Sequence, residues 1–157
     1  MYRTIVVPLD GSPRAERILP HVTELAKRFG ARVILVRVVT EEHSLVAPID
    51  YQVAVRASLP NQPVAHEESQ YVIALSYLEH VQMRLQNNRV EANAEVLDGP
   101  VVQAIIEVAQ KENADLIAMA SHGRTGLGQV FYGSVAAGLL HRADRPLLII
   151  RAQDQPA

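Results

Sequence analysis

The chain has 157 residues, 48% of them hydrophobic and 20% charged, with a formal net charge of -2 at pH 7. This length is typical of one domain with a substantial core. The charge excludes the strongly basic surface of a nucleic-acid-binding protein. The absence of cysteine excludes disulfides, thiol chemistry and cysteine-ligated metals, and it fits a reducing compartment.

No signal-peptide core or membrane span is predicted. Met1 to Thr4 lead directly into a strand-like segment. No apolar run approaches the roughly 20 residues that cross a bilayer. We therefore expect a cytoplasmic protein without membrane attachment.

The first strand and helix are clearly marked. Ile5–Val7 is a short β-branched run that predicts a buried strand. Ser12 is a good helix N-cap, and Pro13 is a good first helical residue. Pro20 lies inside the predicted helix and should bend or destabilise it, and Gly30 should end it. The apolar stripe of this helix comprises Ala15, Ile18, Leu19, Val22, Leu25, Ala26 and Phe29.

The middle of the chain contains one long connection. Residues Val33–Val39 predict a second buried strand, in which Arg37 is the only charge. Residues 40–66 contain three prolines and no long period, which is typical of a functional or mobile linker. Residues 67–85 predict a helix with Tyr71 on its apolar face. Residues 90–97 alternate between apolar and polar side chains, as in a strand near a sheet edge.

The second half alternates between helix and strand. The patterns predict a helix at 101–111, a strand at 115–120, a helix at 134–141 and a strand at 146–151. Residues 152–157 read as a tail. Apolar strands alternating with amphipathic helices indicate a three-layer, doubly wound α/β domain over residues 1–151 with a parallel sheet.

A glycine-rich loop joins the fourth strand to the following helix. Gly123, Gly126 and Gly128 let the backbone approach a ligand, and a helix starting near Ser134 would direct free amides and its positive dipole end there. This combination predicts a phosphate cradle, the alternative being a flexible turn. The loop is neither the dinucleotide fingerprint nor a P-loop.

Three motifs together resemble the universal stress protein family over nearly the whole chain. The ATP-binding members carry G-x2-G-x9-G-[S/T], and Ala120-x2-Gly123-x9-Gly133-Ser134 fits it except at the first position. The opening Ile5-Val-Val-Pro-Leu-Asp-Gly-Ser12 and the closing Arg145-Pro-Leu-Leu-Ile-Ile150 also match. The resemblance implies a Rossmann-like, five-stranded parallel sheet in the order 3-2-1-4-5. It also implies a homodimer that pairs through the last strand, Pro146–Arg151, whose apolar edge needs cover.

The resemblance assigns roles to individual residues. Asp10 matches the acidic residue that holds the ribose, and its alternative role is to complement a helix dipole. The apolar residues of the adenine pocket, which otherwise belong to the core, are matched by Pro8, Val38 and Met119. Ala120 adds a methyl group where the family has glycine. The candidate nucleotide-binding residues are Pro8, Asp10, Val38, Met119, Ala120, Gly123, Arg124, Gly126, Gly133 and Ser134.

The loop contains two further candidates, each with a simpler alternative. Arg124 is placed to meet a γ-phosphate, or it is a solvated loop charge. His122 is a candidate phosphate contact or base, or it is a structural or solvated histidine. Ser134 is placed to donate to a phosphate, to cap its helix, or both. Phosphate contacts are also implied for Gly123 and Gly133.

The expected function is a stress-response binding module or switch that takes ATP, with ADP and AMP as alternative ligands. Nucleotide would order the glycine loop and the 40–66 linker. Mg²⁺ or Mn²⁺ would be held through the phosphates. The alternatives are a slow ATPase, which the missing Walker lysine and general base disfavour, and a nucleotide-free, chaperone-like dimer. No catalytic or protein-ligated metal residues are assigned.

Overall fold

The computed structural model describes residues 1–40, 65–122 and 133–152. Its five strands are β1 (Thr4–Pro8), β2 (Arg32–Val39), β3 (Ala92–Asp98), β4 (Leu116–His122) and β5 (Leu147–Ala152). Its helices are a 3-10 turn (Ala15–Ile18), α1 (Leu19–Phe29), α2 (Ala65–Asn87), α3 (Val101–Lys111) and α4 (Ser134–Arg142). Most of the predicted linker and tail lies outside the described residues.

All five strands are parallel, in the order β3-β2-β1-β4-β5. The predicted doubly wound α/β fold is therefore confirmed. None of the described helices is both long and apolar enough to span a membrane.

Helices cover both faces of the sheet. On one face, which we call the α1–α2 face, Ile5, Val7 and Leu35 pack against those two helices. On the other, the α3–α4 face, Val6 and Val36 pack against α3 and α4. Neighbouring residues of one strand point to opposite faces, so each strand contributes to both layers. This explains why the strands read as continuous apolar runs.

The first helix differs from the prediction. The segment predicted as one helix after Ser12 is a 3-10 turn followed by α1, and Pro20 lies in the first turn of α1 rather than inside it. A first-turn amide has no intrahelical acceptor, so proline is tolerated there and no bend is required. Ser12 does act as a cap, since its hydroxyl accepts the amide of Ala15 at 3.1 Å.

Two details of the α2 region also differ. Val90 is buried but precedes β3, because its amide donates to the carbonyl of Leu85 at 3.0 Å and closes the end of α2. Tyr71 was predicted on the apolar face of α2, but it is 46% exposed. The helix contacts the sheet further along, through buried Leu78 and Val81.

A carboxylate joins the amino ends of β1 and β4. The Asp115 side chain accepts the backbone amides of Arg3 at 2.7 Å and Thr4 at 3.0 Å, and its own amide donates to the carbonyl of Thr4 at 2.9 Å. These two amide hydrogen bonds hold the pKa of the Asp115 carboxyl below its usual value.

Replacing the Asp115 carboxylate should make the free energy of unfolding less dependent on pH in the acid range. Asp115→Ala should lower the free energy of unfolding at pH 7 by about 1 kcal/mol, because the ionised side chain stabilises the folded state. Since the folded-state pKa is depressed, this contribution is present above the unfolded pKa and is lost as pH falls through the folded value. Urea unfolding at pH 7 and at about pH 3 would measure the difference in the free energy of unfolding between wild type and variant, which we expect to be smaller at the lower pH. The role of Asp115 would be contradicted if this difference were the same at both pH values, or if the control Asp98→Ala showed the same difference.

Candidate functional site

A cavity opens at the carboxyl ends of β1 and β4. After β1 the chain turns to the α1–α2 face, whereas α4, which follows β4 in the described chain, packs on the α3–α4 face. Such a divergence between neighbouring parallel strands leaves a crevice beyond their carboxyl ends. The cavity, including its open mouth, has an empty volume of about 770 Å³. It is lined by Pro8, Leu9, Asp10, Ala15, Val36, Val38, Val101, Ile105, Met119, Ala120, Ser121, Gly133, Ser134, Val135 and Ala136.

Most of the candidate residues meet in this cavity. Those that line it are Pro8, Asp10, Val38, Met119, Ala120, Gly133 and Ser134. Gly123, Arg124 and Gly126 lie outside the described residues. His122 is the last residue of β4. The residues at 8–10, 38, 119–120 and 133–134 are far apart in sequence, and the fold brings them to one place.

Asp10 is held by a local turn. Its carboxylate oxygen Oδ1 accepts the backbone amide of Ser12 at 2.8 Å, so the side chain folds over Gly11. Gly11 has φ +86°, a conformation that favours glycine. Asp10 precedes the 3-10 turn by several residues and is exposed. A carboxylate has about four acceptor positions, so an oriented Asp10 retains capacity for ligand hydroxyl groups.

The inner walls of the cavity are apolar. Val36 and Val38 come from β2, Met119 comes from β4, and Val101 and Ile105 come from α3. Ile105 is fully buried, and Met119 is 9% exposed. Apolar walls suit a planar aromatic ring, and methionine adapts its shape to one.

The amino end of α4 supplies backbone donors that have no acceptor within the helix. The first intrahelical bond runs from the amide of Ala137 to the carbonyl of Gly133 at 2.9 Å, which leaves the preceding amides without an intrahelical acceptor. Gly133 is the N-cap residue and has no side chain with which to cap the helix. Ser134 is therefore the first residue of α4 rather than its cap, and its exposed side chain lies at the cavity.

Ala120 differs from the family motif without obstructing the cavity wall. It packs against the hydrophobic cluster on the α1–α2 face, whereas its neighbour Met119 packs on the α3–α4 face. Strand alternation places the Ser121 side chain on the same face as Met119. The methyl group of Ala120 therefore points to the opposite side of the sheet from the adenine-pocket candidate.

Several lining residues were not predicted from the sequence. Val101 and Ile105 come from a helix that had been interpreted only as core, and no motif marks them. Ser121 was visible as the first polar residue after the apolar run of β4, and it is 3% exposed at the cavity. Val101 and Ile105 can be identified as lining residues only once α3 is placed beside β2 and β4.

A close helix contact fixes the wall formed by α3 and α4. A Cβ atom at Gly138 would lie 2.6 Å from Cγ2 of Val102, so the two helices approach within a distance that only glycine permits. Val102 is β-branched and has few alternative rotamers in a helix. The cavity therefore lies between elements held at short range.

Known proteins are similar to this chain in sequence and in fold. The family model for the universal stress protein family matches residues 1–151. Universal stress protein MJ0531 of Methanocaldococcus jannaschii is 30% identical over 151 residues, covering 96% of this chain and 83% of that protein. The solved structure of hypothetical protein MJ0577 is 26% identical with a TM-score of 0.70, covering 99% of each chain. A solved universal stress protein in complex with cAMP shares the fold at a TM-score of 0.64 and 21% identity, covering 97% of this chain and 98% of that one. The chain belongs to the universal stress protein family.

Proposed function

We propose that this protein is an adenine-nucleotide-binding module, with ATP as the expected ligand and ADP and AMP as alternatives. The observation that carries the proposal is the composition of one cavity: an oriented carboxylate, an apolar slot and the unpaired amides of a helix. These match a ribose, a base and a phosphate in that order. Two solved proteins of this fold, bound to cAMP and to dAMP, support the choice of ligand class.

The backbone of β2 offers a polar edge for the base. In β2, the amide of Arg32 donates to Arg3 at 2.9 Å and the carbonyl of Val36 accepts Leu9 at 2.8 Å, so even-numbered residues face β1. By the same alternation the N–H and C=O of Val38 face that side, beyond the end of β1 at Pro8. One donor beside one acceptor complements the edge of adenine, which presents a ring nitrogen beside an amino group.

The phosphates would lie at the amino end of α4. Gly133 brings the backbone close, and the amides of Ser134, Val135 and Ala136 supply donors beside the positive end of the helix dipole. Gly123 and Arg124 are proposed to complete this end of the site. A divalent ion would be held by phosphate and water, since Asp10 is the only carboxylate among the described lining residues.

Calorimetric titration tests the binding proposal. We expect nucleotide-stripped protein to bind ATP, ADP or AMP saturably at micromolar concentration. Asp10→Ala should weaken binding about tenfold, because hydrogen bonds to a charged acceptor are lost. Gly133→Val should weaken it by placing a side chain at the phosphate position.

The matched control is Asp98→Ala, an exposed carboxylate at the carboxyl end of β3 that does not line the cavity. It should bind as the wild type does. Failure of folded wild-type protein to bind any of the three nucleotides, with or without Mg²⁺, would overturn the proposed function.

We further propose that bound nucleotide acts as a switch through the two segments predicted from sequence, 40–66 and the glycine loop. Each contains a trypsin site, Arg56 and Arg124. Saturating ATP should slow cleavage at both sites, as followed by mass spectrometry, because binding would order the chain around them. The Asp10→Ala variant at the same ATP concentration is the control. Equal cleavage rates with and without ATP in a protein that binds ATP would reject the switch and leave the binding module intact.

The proposed assembly is a homodimer through β5. Of the described strands, β3 and β5 form the sheet edges, and Leu147 to Ile150 of β5 are only partly buried. Charged residues protect β3, where Glu95 pairs with Lys111 at 2.9 Å. The run Leu147–Ile150 carries no charge before Arg151, and an apolar edge of this kind favours pairing with a second copy.

Sedimentation should distinguish the two edges. We expect a dimer at micromolar concentration that Ile150→Lys converts to monomer, because the substitution places a charge on the proposed interface. Val96→Lys is the matched control on β3, since both side chains are partly buried against the same hydrophobic cluster. A wild-type monomer, or an equal effect of the two variants, would contradict the β5 interface.

A further inference from the structure

A cluster of polar side chains lies on the α1–α2 face, across the sheet from the apolar slot. We call Glu16, Arg37, Tyr77 and Arg84 the Arg37 cluster. The Arg37 guanidinium carbon lies 5.5 Å from the centre of the Tyr77 ring, within cation–π range. The Tyr77 hydroxyl donates to Glu16 at 3.1 Å, and Arg84 donates to the other oxygen of that carboxylate at 2.6 Å. The cluster therefore links β2 to α2 and to the 3-10 turn.

The Tyr77 hydroxyl is a stable donor in this cluster. Burial raises the pKa of the Tyr77 hydroxyl far above its usual value, and the nearby Glu16 carboxylate raises it further. The hydroxyl consequently stays protonated over the physiological range and keeps its bond to Glu16. The ring beneath Arg37 is thus fixed at its far end.

The Arg37 guanidinium also contacts the turn that holds Asp10. A Cβ atom at Gly11 would lie 3.0 Å from Nη1 and 3.2 Å from Cζ of Arg37, so the guanidinium packs directly on the Gly11 backbone. Gly11 is the central residue of the turn closed by the bond between Asp10 and Ser12. Arg37 therefore lies between an anchored aromatic ring and this turn.

The turn crosses the carboxyl edge of the sheet at this point. Asp10 lines the cavity, whereas Gly11 touches Arg37, whose side chain reaches Tyr77 of α2. A planar guanidinium can contact groups on both of its faces, which the compact ammonium of lysine cannot do. This gives a reason for the only charge in the run Val33–Val39, which the nucleotide motif leaves unexplained.

We propose that Arg37 is a positioning residue that holds the Asp10 turn, and with it the carboxylate, in the orientation that binds ribose hydroxyls. The inference rests on the proposed nucleotide function. Arg37 is not among the described residues that line the cavity. Its effect on affinity comes from preorganising Asp10 before the ligand arrives.

A double-mutant cycle with two ligands tests this role. Arg37→Ala should weaken AMP binding by about five- to twentyfold in calorimetry, because the turn must be ordered on binding. In an Asp10→Ala background the same substitution should have almost no effect. It should also have almost no effect on binding of 2′,3′-dideoxy-AMP, which lacks the hydroxyls that Asp10 is proposed to hold.

Neighbouring variants separate positioning from general stability. Arg84→Ala removes the other arginine of the cluster and should leave AMP affinity near wild type. Tyr77→Phe keeps the ring under Arg37 and should also bind normally, whereas Tyr77→Leu should resemble Arg37→Ala. If Arg37→Ala does not fold, Arg37→Lys replaces it and should show an intermediate loss that again disappears with the dideoxy ligand.

The outcomes separate a failure of the Arg37 positioning role from a failure of the proposed nucleotide-binding function. Wild-type protein that binds no adenine nucleotide overturns the proposed function. Wild-type binding with an Arg37→Ala variant of equal affinity overturns only the positioning role. The positioning role is also overturned if Arg37→Ala weakens binding of dideoxy-AMP as much as binding of AMP, or weakens AMP binding as much in the Asp10→Ala background as in the wild type. In either case the effect on affinity would not depend on Asp10.

Discussion

The structure depends on the pairing of β1 with β4 at the centre of a parallel sheet. The two strands are hydrogen-bonded neighbours, yet the helices that come after them cover opposite faces. The chain segments after their carboxyl ends must therefore separate, and the space between them is the cavity. Asp115 holds the amino ends of the same two strands together. The position of the site is consequently a property of topology, and the side chains around it determine which ligand it suits.

The described lining residues include few polar side chains. Among the described lining residues, Asp10 is the single charged side chain, Ser121 and Ser134 supply hydroxyls, and the rest are apolar or glycine. The other proposed contacts come from backbone groups at the ends of β2 and α4. Backbone donors and acceptors fix orientation, but they transfer no proton in the way that a general base does. This division fits a binding module whose ligand is held by chain geometry.

The sequence predicted the elements better than their ends. Hydrophobic periodicity identified every described strand and the four α-helices, because the central strands are buried on both faces, β3 alternates between apolar and polar side chains, and each helix buries one face. It placed Pro20 inside a helix, since a 3-10 turn and a following α-helix present the same apolar stripe. Motif residues identified the strand ends of the site, but Val101 and Ile105 were missed because their role depends on α3 lying beside β2. Pairwise placement of this kind has no local signal in a single sequence.

Ala120 shows how strand geometry decides whether a departure from a motif matters. A glycine in a ligand-binding loop is needed where φ is positive or where a Cβ would enter the space of the ligand. The first condition does not apply to Ala120, because it lies within β4, paired with Ile150 of β5, and its φ is not positive. Its methyl group packs against the cluster on the α1–α2 face, while Met119 forms the cavity wall. The alanine therefore adds apolar contact on the α1–α2 face, and its methyl group does not narrow the proposed base slot beside Met119.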